Sequence, residues 1–236
     1  MNENFRKSAP PPLAPVPFEI AKPFETQLSN NLKVIIFEDE RLPLVSFRLC
    51  FFSGDADEPR DSIGITSAVA AMLSEGTQNR TSKKLAEEIE RLGANVSASS
   101  SSDFTIVSAS SLSLYTGEVL RIMAEMVLYP SFPENELNLF KQNTIEGLKF
   151  QRSQPSFLAN EQMARILYGE HPYGIASPKP SDIENITREK LIDFHARIFI
   201  PNNAMLIVVG DVNKEEFLRE IEDVFEGWQQ GNPDVP

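Results

Sequence analysis

The order of patterned segments predicts an α+β fold, a mixed/antiparallel β-sheet covered by helices. Three observations carry this: strand-like segments come early in pairs, a run of helical segments fills the middle, and one apolar strand returns near the end. A regularly alternating parallel sheet would need a different order. The 236 residues, 41% of them hydrophobic, suffice for a proper core.

The elements follow in chain order. Pro10, Pro11, Pro12, Pro15, Pro17 and Pro23 make residues 1–23 an extended Pro-rich arm ahead of a domain over 24–230. "LKVIIFEDE" and "VSFRLCFF" read as strands, the second with Val45, Phe47, Leu49 and Phe51 on one face. "GITSAVAAMLSEGT", Gly64 to Thr77, reads as a helix with Ile65, Val69, Met72 and Leu73 buried, beside a stripe of small residues, Ser67, Ala70, Ala71 and Ser74. "TSKKLAEEIERLG" is a helix capped by Thr81 or Ser82 and stopped by Gly93, with Leu85, Ile89 and Leu92 as its apolar stripe and Lys83–Glu87 and Lys84–Glu88 pairs on its wet face.

"ANVSASSSSDFTIVSASS" reads as two β-segments around a polar turn, alternating at Phe104, Ile106 and Ser108, with serines on the wet side. A helix halted by Pro130, a longer one opened by Pro133, and two more flanking "YGEHPYG" follow. The strand "AMLIVVGDV" and the amphipathic "KEEFLREIEDVFEGW" lead to residues 231–236, which read as the start of a linker.

Charge and composition exclude several function classes. Thirty-four acidic against 22 basic residues give a net charge of −12, which repels a phosphate backbone, so no nucleic acid partner is expected. No apolar run spans a bilayer, so no transmembrane segment is expected; as written the chain reads as cytoplasmic, or periplasmic or elsewhere if a signal segment was removed. The single cysteine, Cys50, reads as a small core residue and excludes a disulfide framework.

Motifs for phosphate, dinucleotide and serine-nucleophile chemistry are missing, and no cofactor is expected. His171 sits among Pro172 and flanking glycines, which argues for a tight turn. His195 follows Phe194 in the apolar set Leu191, Phe194 and Ile198, which argues for helix packing or a surface role. A zinc site needs at least three converging nitrogen, sulfur or carboxylate ligands, and no close His or Cys pair occurs.

"LSNNLKVIIFEDERLPLVSFRLCFFSGDADEP", "GITSAVAAMLSEGT", "LAEEIERLGANVSASSSSDFT", "LYPSFPENEL", "GEHPYG" and "NNAMLIVVGDV", in this order over about residues 24–230, resemble the N-terminal half of the pitrilysin/insulinase family of zinc peptidases, which includes mitochondrial processing peptidase. The resemblance implies a metalloprotease LuxS/processing-peptidase-like half. Active members carry H-x-x-E-H on the helix matching Gly64–Thr77, two imidazoles binding zinc and the Glu activating water. An ungapped match puts Ser67 and Ala71 at the two His, Ala70 at the Glu, and Gly147 at the third ligand, a glutamate, with Glu146 beside it.

The resemblance therefore implies a zinc-less, catalytically inactive homologue that binds no metal. Its implied partners are a zinc-bearing homologous peptidase subunit, the second half of its own full-length chain, and an extended peptide substrate added to a sheet edge. The acidic balance favours basic or unfolded peptides. Two alternatives stay open: a purely structural or assembly subunit, or a peptidase with an unrecognised site drawing on His171, His195, Glu146 or Glu161.

Overall fold

The computed structural model describes residue 13 and residues 22–232. Most of the expected arm over 1–23, and residues 233–236 of the expected linker, lie outside the described residues.

Six strands form one sheet: β1 Phe24–Gln27, β2 Lys33–Glu38, β3 Leu44–Phe51, β4 Asn95–Ser100, β5 Thr105–Leu112 and β6 Ala204–Gly210. Their order is β1-β2-β6-β3-β5-β4. Only β2 and β6 run parallel; the other neighbours are antiparallel, so the sheet is mixed, as the pattern predicts. The late strand β6 inserts between the two early ones because it is apolar along its length and can be flanked on both sides.

Among the described residues eight α-helices accompany the sheet: α1 Ile65–Met72, α2 Ser82–Arg91, α3 Thr116–Leu128, α4 Glu134–Arg152, α5 Pro155–Tyr168, α6 Pro180–Glu184, α7 Arg188–Ile198 and α8 Lys214–Phe225. The core lies between the helices and one sheet face. Val45, Phe47, Leu49 and Phe51 supply that face from β3, all buried as their alternation requires. Val69, Met72 and Leu73 meet it, with Leu85 and Leu92 of the next helical stretch. The aromatic pair Phe51–Phe199, with centroids 4.3 Å apart, and Trp228, whose Nε1 donates to the Phe199 carbonyl at 3.1 Å, close one end.

Four expectations need correction. The Gly64–Thr77 helix is shorter than expected: α1 ends at Met72, a single 3₁₀ turn covers Leu73–Glu75, and Gly76 and Thr77 leave as extended chain bridging to Thr81 and Pro130. Gly76, at φ 126°, cannot continue a helix.

On β5 Ile106 and Ser108 do alternate on one face, but the core face is the other, Thr105, Val107, Ala109 and Ser111, so Ser111 is buried rather than on the wet side. Register decides it, since Val107 pairs with buried Leu49 and Ala109 with buried Phe47, and a one-residue offset flips every side chain. Lys84–Glu88 does not form, because Glu88 is held by Arg80 at 2.8 Å, whereas Lys83–Glu87 is present at 3.7 Å. The short strand β1 was not anticipated; "FETQ" has only one apolar residue and carries no alternation to read.

Candidate functional site

The N-terminal end of α1 borders the main cavity of the molecule. Its volume is about 600 Å³, and its walls include Ser67 and Gly64 from the helix start, Phe140, Thr144, Leu148 and Gln151 from α4, and Ser100 and Ser102 beside the end of the edge strand β4. The α4 residues fall at i, i+4, i+8 and i+11, one face of a helix turned to the cleft. Sequence resemblance singles out α1 and α4 as the two ligand-bearing helices, and the fold brings them to the same space.

A carboxylate that sequence reasoning missed anchors α1 there. Gly64, at φ 90°, has no side chain to cap the helix, and Glu58 supplies the acceptor instead: its two oxygens take the backbone N–H groups of Gly64 at 2.7 Å and Thr66 at 2.8 Å. Glu58 is buried, and burial pushes its carboxyl up to about 7 against the opposing pull of the two N–H donors, with the nearby Asp55 charge adding to the rise. Asp55, on the same wall, is also raised by burial, opposed by a hydrogen bond from Ser100. A cap six residues upstream does not fit the usual three-residue capping box, so no local pattern announced it.

At the expected ligand positions, Ser67 is exposed to the cleft, Ala70 is buried at 3% exposure and Ala71 is half-buried. Gly147 is exposed, and a side chain added there would meet nothing within 4 Å. A hydroxyl, two methyls and a bare backbone are not the imidazole and carboxylate donors that zinc takes, so these residues do not fit the metal. A one-residue shift does not restore the glutamate: Glu146 faces solvent and pairs with Lys149 at 2.6 Å. Among the described residues no group of three or more His, Cys, Asp or Glu is placed to hold a metal ion.

The alternative residues do not assemble. His195 is half-buried, its Nε2 2.7 Å from the Val127 carbonyl, and desolvation of its ring lowers its pKa to about 4. It stacks on Phe199 at 4.7 Å, the packing role its sequence context suggests. His171 makes the expected tight turn, its Nδ1 accepting the Tyr173 N–H at 3.2 Å. Glu161 is held by Arg152 at 2.8 Å. His171 and Glu161 share a second pocket, while His195 and Glu146 lie elsewhere. Cys50 is half-buried on the sheet face away from the helices, and burial raises its thiol pKa.

The Tyr173 hydroxyl donates to Asp103, which ties the 171–174 turn to the β4–β5 turn across the cavity mouth. This long-range contact involves residues 70 positions apart and has no local signature.

Comparison with known proteins matches residues 33–181 to the model of the insulinase family, peptidase family M16, and residues 185–236 to that of the peptidase M16 inactive domain. A probable mitochondrial-processing peptidase subunit alpha-1 of Arabidopsis thaliana is 30% identical over 97% of this chain and 44% of its own length. A non-peptidase homolog of Helicobacter pylori is 23% identical over 86% of this chain and 48% of its own length. Among solved structures, a peptidase M16 inactive domain from Pseudomonas fluorescens superposes with a TM-score of 0.85 at 28% identity, covering 90% of this chain and 52% of that one.

The chain thus spans about half the length of the curated relatives it matches. Both matched segments contribute to one sheet, since β6 from the second sits between β2 and β3 from the first. The chain belongs to the insulinase family of peptidases, peptidase family M16.

Proposed function

We propose that this chain is a zinc-less, catalytically inactive member of its family, acting as partner or substrate-binding subunit of a zinc-bearing homologue in peptide processing or degradation. The observation that carries it is that none of the residues matching the family's zinc ligands and general base is a metal donor or a base, while Ser67, the first of them, opens onto a cavity walled by α1 and α4. The space between α1 and α4 is roughly 600 Å³, and Ser67, Ala70, Ala71 and Gly147 are the residues that the sequence resemblance matches to the ligands and general base. Without those groups no water is activated, whereas the cleft can still hold and orient a chain.

The mode of holding follows from the topology. Among the described residues β4 is an edge strand with no neighbour on its outer side, and it ends at Ser100 on the cavity wall. An extended peptide added there pairs through main-chain hydrogen bonds and tolerates many sequences. Relatives named as alpha and beta subunits of a processing peptidase support a paired arrangement. Exposed apolar side chains on α4 and α5, Phe150, Leu158, Met163, Ile166 and Leu167, suit a contact with a partner or with a second half of the same protein.

The test is reconstitution. The full-length protein, inert toward a quenched extended peptide, should raise the turnover of a co-purified homologue carrying H-x-x-E-H. A zinc-bearing partner that works equally well alone would turn the reading toward a purely structural role.

A further inference from the structure

Next to the main cavity lies a second one of about 470 Å³ that shares Ile63, Ile175, Ala176 and Ser177 with it. Its walls carry more basic than acidic side chains, although the molecule as a whole is acidic. Arg60, Arg152, Arg165 and Lys179 line it against Glu161, Glu170 and Asp182. The carboxylates are largely committed. Glu161 accepts Arg152 at 2.8 Å, Asp182 accepts the Lys179 backbone N–H at 2.8 Å, and Glu170 stands 97% exposed, 3.6 Å from Arg60.

Among the described residues, Arg165 and Lys179 have no ion-pair partner. The Arg152 Nε proton is shielded from solvent and has no acceptor among them. A chain with net charge −12 has here gathered unpaired cations around a hollow. Cations so placed attract anions, and the guanidinium fork matches a carboxylate.

We infer that this basic pocket is a carboxylate-binding subsite of the peptide cleft, taking either the C-terminal carboxylate of a bound peptide or one acidic side chain. The inference rests on the peptide-holding reading above and deepens it. The apolar part of the ligand occupies the space beside Leu148 and Ile183, and the carboxylate passes Ile175 and Ser177 to reach Arg165 and Lys179. Arg152 is a positioning residue: its bond to Glu161 fixes α4 against α5 and keeps the wall in place. The acidic surface and this pocket are complementary, since a peptide with a cationic body and one carboxylate satisfies both.

Fluorescence anisotropy of the full-length protein tests it with an amino-terminally labelled decapeptide of leucine, alanine and serine. One form ends in a free carboxylate, one in an amide, and one in an amide with a single internal glutamate. The free carboxylate or the glutamate form should bind about tenfold tighter than the neutral amide, and whichever does so identifies the source. The double variant Arg165→Gln/Lys179→Gln changes two exposed side chains and should erase that preference while leaving affinity for the neutral amide unchanged. Equal binding of all three forms overturns the subsite and leaves the peptide-holding reading intact. No binding of any form overturns both.

Discussion

Two desolvated titratable residues impose opposite pH dependences on stability. Glu58 ordinarily titrates near 4.5 and is raised to about 7 in the fold, so its stabilising contribution is complete below about 4.5 and is lost as pH rises through about 7. His195 is lowered from 6.5 to about 4, so its contribution is complete above 6.5 and is lost as pH falls through about 4. Each full shift corresponds to at most about 3–4 kcal/mol. Urea unfolding from pH 4 to 8 should show Glu58→Gln flattening the decline between pH 5 and 8, and His195→Gln flattening the loss below pH 6.5. A wild-type decline above pH 5 that survives Glu58→Gln unchanged would assign it to other groups. The packing of His195 was legible in its apolar helix context, but the Glu58 environment was not, because "DADEP" gives no hint that Glu58 folds back onto the start of α1 and is desolvated there.

At the scale of elements, the entry to α1 disfavours a side chain, chiefly because Gly64 holds a left-handed φ of 90°. A Cβ on Gly64 would sit 2.8 Å from the Ile183 Cδ1 on α6 and would have to adopt φ 90°. Gly64→Ala should cost about 1–3 kcal/mol in unfolding free energy. The placement of α1 against α4 makes a second prediction. Ser67→His, Ala71→His and Gly147→Glu together should create a site that binds cobalt(II), seen by its visible absorption, at least about tenfold tighter than the wild type. A folded triple variant without that absorption would show that the two helices do not keep the ligand spacing.

The helices and most strands were legible because their apolar periodicity is local. β3 alternates cleanly, α2 carries Leu85, Ile89 and Leu92, and Thr81 caps α2 as its position suggests, accepting from Lys84 at 3.4 Å. The choice of core face on β5 and the existence of β1 were not legible. Both depend on which strand lies alongside, and pairing partners more than 50 residues away set that for β5.

At the scale of the whole molecule, the chain has the fold of the insulinase family, with Ser67, Ala70, Ala71 and Gly147 at the positions that match the family's zinc ligands and general base. The blank stripe of α1 was legible in the sequence; the cavity it borders was not, since its walls come from α1, α4, the β4–β5 turn and the segment 172–178. The basic pocket beside it escaped for the same reason, being assembled from Arg60, Arg152, Arg165 and Lys179 on separate segments. Together these features support the proposal that the protein holds peptide and leaves cleavage to a partner.

The most direct test of that claim is zinc content measured by mass spectrometry on the dialysed full-length protein, alongside its peptidase activity alone, with and without a chelator. The account predicts far less than one zinc per chain and no chelator-sensitive cleavage. One zinc per chain, with cleavage abolished by the chelator, would contradict it.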